Sequence, residues 1–259
     1  MSDAPSPFVW YELLTTDEGA AKAFYPAILG WGTEPFTGAG GEKPYTMWTA
    51  GGAPLGGMME KPPGAEGPPM WLGYVGVDDV DDVVRRAGEL GAQTHVAPRD
   101  IPTVGRFAVL ADPQGAFFAV YKSLNPQPAP GDECPPGNVS WNELATSDGP
   151  AAWGFYSTLF GWQKTDSFDM GDGWMYDMFG YGGASKGAVY TKPPDMPGPP
   201  AWVYYVRVED LDGKVEKVKE RGGQVIHGPM EVPGGDRIAI CTDPQGAVFA
   251  MHALAAKPA

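Results

Sequence analysis

Cysteine and histidine are scarce in this sequence: two and three residues among 259. Two cysteines cannot staple a chain of this length, so a disulfide-built fold is excluded and a reducing cytoplasm is the expected compartment. Cys134 stands in a Pro/Gly-rich stretch and Cys241 in an apolar run. Neither recurs in the internal repeat described below, which argues against a catalytic thiol. Basic residues are also few. Lys and Arg number 18 against 32 Asp and Glu, a net charge of −14. That balance excludes nucleic acid and anionic membrane surfaces as partners, since both demand cationic side chains against phosphate. No apolar run approaches the roughly 18 residues that cross a bilayer. The opening Met-Ser-Asp-Ala-Pro-Ser-Pro lacks a basic stretch followed by an apolar one, so no secretory signal is expected. A nucleotide loop is missing too. Gly-Ala-Gly-Gly-Glu-Lys has the wrong spacing for a phosphate loop and no hydroxyl after its lysine.

What the chain does have is a duplication. Phe8 to Trp31 reads FVWYELLTTDEGAAKAFYPAILGW, and Val139 to Trp162 reads VSWNELATSDGPAAWGFYSTLFGW. Trp10 matches Trp141, Glu12 matches Glu143 and Asp17 matches Asp148, all at an offset of 131 residues. The offset holds without insertion through Asp112-Pro113-Gln114-Gly115 and Asp243-Pro244-Gln245-Gly246. Each half is of ordinary domain size. The expected division is residues 1–123, a Pro/Gly/Asn-loaded linker at 124–138, and residues 139–259.

Within the first half, Phe8–Leu14 alternates as a strand does. Asp17 is placed to cap a helix that carries Phe24 and Ile28 on one side and stops at Gly30. Pro26 late in that helix predicts a kink or an early fray. Tyr45–Ala50 and Leu55–Met59 read as strands, and Lys61–Trp71 as a stiff proline-rich connection. Trp71–Val77 is a strand, Asp79 caps a second helix ended by Gly91, and Gln93–Val96, Phe107–Leu110 and Ala116–Lys122 are strands. Each half therefore reads βαβββ twice. The four units span about 8–60, 70–123, 139–191 and 201–253. The fold class is α+β.

The signature W-x-E-L-x-T-x-D…F-Y…G-W and the closing D-P-Q-G-A-x-F resemble the vicinal oxygen chelate superfamily of glyoxalases, bleomycin-resistance proteins and extradiol dioxygenases. The resemblance covers Phe8 to about His252. It implies two glyoxalase-like domains with curved mixed sheets flanked by helices. It does not settle whether each cleft lies within one pair of units or across swapped pairs. It also implies a divalent ion on inward strand positions, which here fall at Trp10 and Trp141, about Leu72 and Val203, Ala119 and Ala250, and in the Leu55–Met59 region. None of these side chains ligates a hard cation. No metal and no cofactor is therefore expected.

Glu12 and Glu143 lie two residues from the tryptophans, on the same strand face. A carboxylate among aromatics has its pKa raised and suits a general base, or it is simply satisfied by hydrogen bonds. His252 is the histidine expected to face inward near Glu143, with Tyr121 in its place in the first half. Arg106 and Arg237 are candidates to clamp an anionic ligand, or to pair with Asp112 or Glu12. Trp10, Tyr45, Trp48, Tyr74, Trp141, Tyr176 and Tyr205, with Tyr121, are candidates to line a cleft for a flat ligand. The expected function is binding of a small aromatic or apolar molecule by a monomer or homodimer. The alternatives are a metal-independent isomerase or lyase with Glu12 or Glu143 as base, or a metal enzyme with displaced ligands such as Glu143 and His252.

Overall fold

The computed structural model describes residues 6–38, 44–62, 64, 67–126, 134–171 and 173–255. The first half runs β1 (Phe8–Thr15), α1 (Glu18–Leu29), β2 (Gly32–Phe36), β3 (Tyr45–Ala50), β4 (Ala53–Glu60), β5 (Met70–Gly76), α2 (Val80–Glu89), β6 (Gln93–Ile101), β7 (Gly105–Ala111) and β8 (Phe117–Ser123). The second half repeats it as β9 (Val139–Thr146), α3 (Gly149–Phe160), β10 (Gln163–Asp169), β11 (Met175–Gly180), β12 (Ser185–Thr191), β13 (Ala201–Arg207), α4 (Leu211–Glu220), β14 (Gln224–Glu231), β15 (Arg237–Thr242) and β16 (Val248–Ala253).

Each half forms one eight-stranded mixed sheet, ordered β2-β3-β4-β1-β5-β8-β7-β6 and β10-β11-β12-β9-β13-β16-β15-β14. The first strands of the two units, β1 and β5, pair antiparallel at the centre, and each has its own fourth strand parallel beside it. The two units of one half thus share a sheet, so each cleft is built within one half.

Local sequence explains most elements. Asp17, Asp79, Asp148 and Asp210 each accept a backbone N–H three residues on, the N-cap that begins a helix. Gly30 and Gly161 end α1 and α3 in the left-handed conformation, at φ of 74° and 70°. α1 continues through Pro26 to Leu29, and Gly30 N–H bonds to the Pro26 carbonyl. Pro26 has no N–H to give the Lys22 carbonyl, so α1 forgoes one internal bond and still runs on to Leu29. Where the sequence shows only Pro/Gly breaks after Trp31, the structure forms β2, an exposed edge strand carrying Pro35, and an edge is where a strand tolerates proline. β6 likewise runs five residues past Val96, through Pro98, on the opposite edge.

The helix-covered faces of the two sheets meet in one hydrophobic core that draws on both halves. Tyr204 of β13 lays its hydroxyl on Gly73 N–H at 2.7 Å, filling the space a side chain at 73 would need. Two reciprocal hydrogen bonds tie helix to opposite half: Tyr25 to Asp243 at 2.9 Å, and Tyr156 to Asp112 at 3.0 Å. Each of these aspartates also accepts two backbone N–H bonds, one from the glutamine of its own D-P-Q-G turn and one from the alanine that follows it. The turn motif is therefore also the tether between halves. Burial raises both carboxyls above their ordinary range despite those bonds. Cys134 and Cys241 are free thiols.

Candidate functional site

Opposite the helices, each sheet presents an inner face. On β1 a register shift between Phe8 and Trp10 sends Phe8 into the inter-sheet core while Trp10, Glu12 and Leu14 face the other way. Trp10 joins an apolar cluster with Leu72, Tyr74, Phe107, Ala119 and Tyr121. Glu12, only 7% exposed, lies on this floor.

Two tyrosine hydroxyls donate to its carboxylate. Tyr45 reaches Oε1 at 2.8 Å and Tyr74 reaches Oε2 at 2.6 Å. Trp10 Nε1 donates to the Tyr45 oxygen at 3.2 Å. Tyr45 comes from β3 and must cross β4 to get there. It passes over Gly57, where a Cβ would stand 2.0 Å from the Tyr45 hydroxyl oxygen. The second half repeats the cluster: Tyr176 to Glu143 Oε2 at 2.6 Å, Tyr205 to Oε1 at 2.9 Å, and Trp141 Nε1 to Tyr176 at 2.8 Å. Here Ala188 takes the place of Gly57, and Tyr190 replaces Met59 and packs on Tyr176 at 5.7 Å.

Burial is the largest influence on both carboxyls and raises them above the ordinary glutamate range, while the tyrosine bonds pull the other way. The tyrosines respond in kind. Burial first, then the neighbouring carboxylate, pushes Tyr45, Tyr74, Tyr176 and Tyr205 far up, so they stay protonated donors. Side chains from across each sheet also bear on the carboxyls. Arg99 on β6 acts on Glu12, and His227 on β14 acts on Glu143. Four strand spacings separate β1 from β6, about 19 Å in a flat sheet. Tyr74 and Phe107, 6.2 Å apart, bridge that span, with the Arg99 guanidinium over the Phe107 ring.

The other expected residues are placed as follows. Tyr121 faces the inner floor, meeting Tyr74 edge-on at 6.5 Å, and donates to the Val104 carbonyl. Trp48 does not join Tyr45. The two differ in strand parity, and Trp48 lies fully buried among Tyr25, Trp31 and Trp71 on the helix side. Arg106 pairs with Asp81 and Asp100, and Arg237 with Asp212, rather than with Asp112 or Glu12. His252 is not beside Glu143. It sits on β16, two strands from β9, in register with Arg207, whereas Glu143 is in register with Val203. Its Nδ1 meets Ser140 Oγ and its Nε2 meets Asp236, both at 2.9 Å. The Ser140 hydroxyl donates to the Tyr205 carbonyl, so this trio fastens β9, β16 and the turn before β15 rather than activating a nucleophile.

A divalent ion, which the family resemblance implies, would need hard donors on this face. Register places Trp10, Tyr74 and Ala119 in one row across β1, β5 and β8, and Trp141, Tyr205 and Ala250 in the matching row. Indole, methyl and a phenol held protonated by burial do not suit a hard cation. Among the described residues no group of three or more His, Cys, Asp or Glu stands close enough to hold one. The residues present do not fit the ion.

Sequence reasoning missed Arg99, His227, Ser140 and Asp236. The first two sit on strands remote from β1 and β9 in their own sheets and do not match each other at the repeat offset.

Residues 8–120 and 139–251 each match the Glyoxalase/Bleomycin resistance protein/Dioxygenase superfamily. Among curated proteins, "Putative glyoxylase CFP32" of Mycobacterium tuberculosis is 36% identical over 245 residues, 93% of this chain and 92% of that one. "Anthracycline biosynthesis protein DnrV" of Streptomyces peucetius is 31% identical over 268 residues, 97% and 94%. Among solved structures, a Mn(II)-bound glyoxalase from Novosphingobium aromaticivorans superposes with a TM-score of 0.62 at 19% identity, covering 96% and 82%. The 2,3-dioxygenase LapB from Pseudomonas sp. KL28 does so at 0.66 and 12%, covering 100% and 96%. At these identities the structural likeness speaks to fold. Among the described residues no helix is long and apolar enough to cross a membrane.

Proposed function

Because the chain belongs to the Glyoxalase/Bleomycin resistance protein/Dioxygenase superfamily, we propose that it binds a small, flat organic molecule on the inner face of each sheet, without a metal. The observation that carries this is the doubled cluster of Glu12 with Tyr45, Tyr74 and Trp10, and of Glu143 with Tyr176, Tyr205 and Trp141. Each presents aromatic surface around one buried acceptor, which is how a small-molecule site combines apolar burial with one orienting polar group. A ligand hydroxyl or N–H can donate to the free lone pairs of the carboxylate while the ring lies on the aromatic floor. The relative named for anthracycline biosynthesis agrees with a flat aromatic ligand.

The test is calorimetric titration of chelator-treated protein with a fused-ring aromatic such as an anthracycline. Saturable binding that survives the chelator supports the reading. Binding that appears only after Mn(II) is restored contradicts it.

A second reading has one observation in its favour. Burial raises both glutamates, as it does a general base. Each carboxylate oxygen already accepts a tyrosine hydroxyl, so catalysis would need the proton of the substrate to compete with Tyr45 or Tyr74. Glu12→Gln and Glu143→Gln separate the two readings. Loss of turnover with ligand affinity kept favours an isomerase or lyase. Loss of affinity favours binding alone.

A further inference from the structure

Among the described residues, the first inner face carries an arginine that no carboxylate or backbone carbonyl holds. Of seven arginines, six hold a carboxylate or a backbone carbonyl. Arg99 holds neither among the described residues. Its guanidinium lies instead over the Phe107 ring, 4.9 Å from the centroid. Phe107 is buried and packs on Tyr74 at 6.2 Å, and Tyr74 donates to Glu12. Tyr121 pairs opposite Phe107 and meets the same Tyr74 ring. An aromatic floor thus runs from a carboxylate at one end to five unclaimed N–H donors at the other. Arg99 and Glu12 form no ion pair with one another, and the floor lies between them.

We propose that the first inner face is specific for an aromatic carboxylate, whose anionic end the Arg99 guanidinium receives through paired N–H bonds while its ring lies along Phe107 and Tyr121. This deepens the binding reading above and rests on it. Guanidinium matches a carboxylate in a planar fork and stacks on rings, and both properties are set up here. The second inner face lacks the device. Met230 stands at the place of Arg99 and Ile238 at that of Phe107. The residue that bears on Glu143 there, His227, comes from the position that Val96 holds in the first half. The two faces therefore differ in ligand charge: the first takes an anion and the second an uncharged ring.

The experiment is calorimetric titration of the chelator-treated full chain with 2-naphthoate and with its uncharged methyl ester, repeated on Arg99→Met and Met230→Arg. The expected result is one site per chain that prefers naphthoate by about tenfold, the lower end for a charge-assisted contact. Arg99→Met should bring that ratio close to one, and Met230→Arg should create a second naphthoate site. If Arg99→Met leaves the ratio where it was while the ester still binds, the specificity proposal is overturned and the binding reading stands. If wild type binds neither compound, both fall.

Discussion

The two inner faces repeat one polar core and surround it differently. Glu12 and Glu143 each take two tyrosine hydroxyls, with a tryptophan indole behind one of them. Around that core, Gly57, Met59 and Arg99 of the first half stand where Ala188, Tyr190 and Met230 stand in the second. The lesson is where each kind of constraint acts. The carboxylate is buried, and removing a donor would leave it paying its full desolvation cost, so the tyrosines recur. Of the residues that differ, Met59, Arg99 and Met230 touch solvent and are free to diverge, while Gly57, Ala188 and Tyr190 are buried beside the tyrosine they accommodate.

The sharpest way to break the comparison lies where the halves touch. Gly73 and Tyr204 occupy matching positions, and the Tyr204 ring fills the space above Gly73. Tyr204→Gly, which makes the halves alike, should cost about 3–5 kcal/mol in urea unfolding, as loss of a buried ring does. A cost below about 1 kcal/mol would mean the core does not need the asymmetry.

The next effect should be equal on the two sides. Tyr25→Phe and Tyr156→Phe each remove one hydroxyl from a buried aspartate, Asp243 or Asp112. Each should cost about 1–3 kcal/mol, and the two values should agree. A large disagreement would show that one tether alone holds the halves together.

A smaller effect reads the glutamates through pH. Their unfolded pKa is about 4.3, and burial raises both in the folded protein. Between those values the folded chain holds protons that the unfolded chain has released. Stability therefore falls as pH climbs from about 4 through the folded pKa, then levels off. The double variant Glu12→Gln, Glu143→Gln should lose less stability over that window than wild type. Asp112 and Asp243 shift in the same direction but remain in both proteins, so the difference isolates the glutamates. Identical pH profiles would place the carboxylates in contact with water.

The smallest effect is Gly57→Ala. A Cβ there displaces the Tyr45 hydroxyl, yet Tyr176 keeps its bond to Glu143 beside Ala188. The Tyr45 ring should shift to the posture of Tyr176 at a cost under about 1 kcal/mol. A crystal structure of the variant checks it, and a Tyr45 swung off Glu12 would contradict it.

Much of the fold was legible because it is written locally and twice. Asp17 and Asp148 cap, Gly30 and Gly161 stop, and the offset fixes the rest. The tyrosine pairing to Glu12 followed less directly, from strand parity and aromatic content. Parity also corrects Trp48, which alternates away from Tyr45 into the inter-sheet core. β2 and β10 went unread because exposed edge strands carry no apolar alternation. The separation of His252 from Glu143 depends on register across three strands, and the place of Arg99 over Phe107 on the pairing of β6 with β7. Neither quantity is encoded in any short stretch.

The most direct measurement is fluorine NMR on protein labelled with fluorotryptophan, titrated with a fused-ring aromatic in the presence of chelator. Nine tryptophans give nine signals. Trp10 and Trp141 lie half-exposed on the inner faces, while Trp31, Trp48, Trp71, Trp162 and Trp202 are buried between the sheets. The account predicts saturable shifts of Trp10 and Trp141 with those five unmoved. Shifts that spare Trp10 and Trp141, or that appear only when Mn(II) is added, would contradict it.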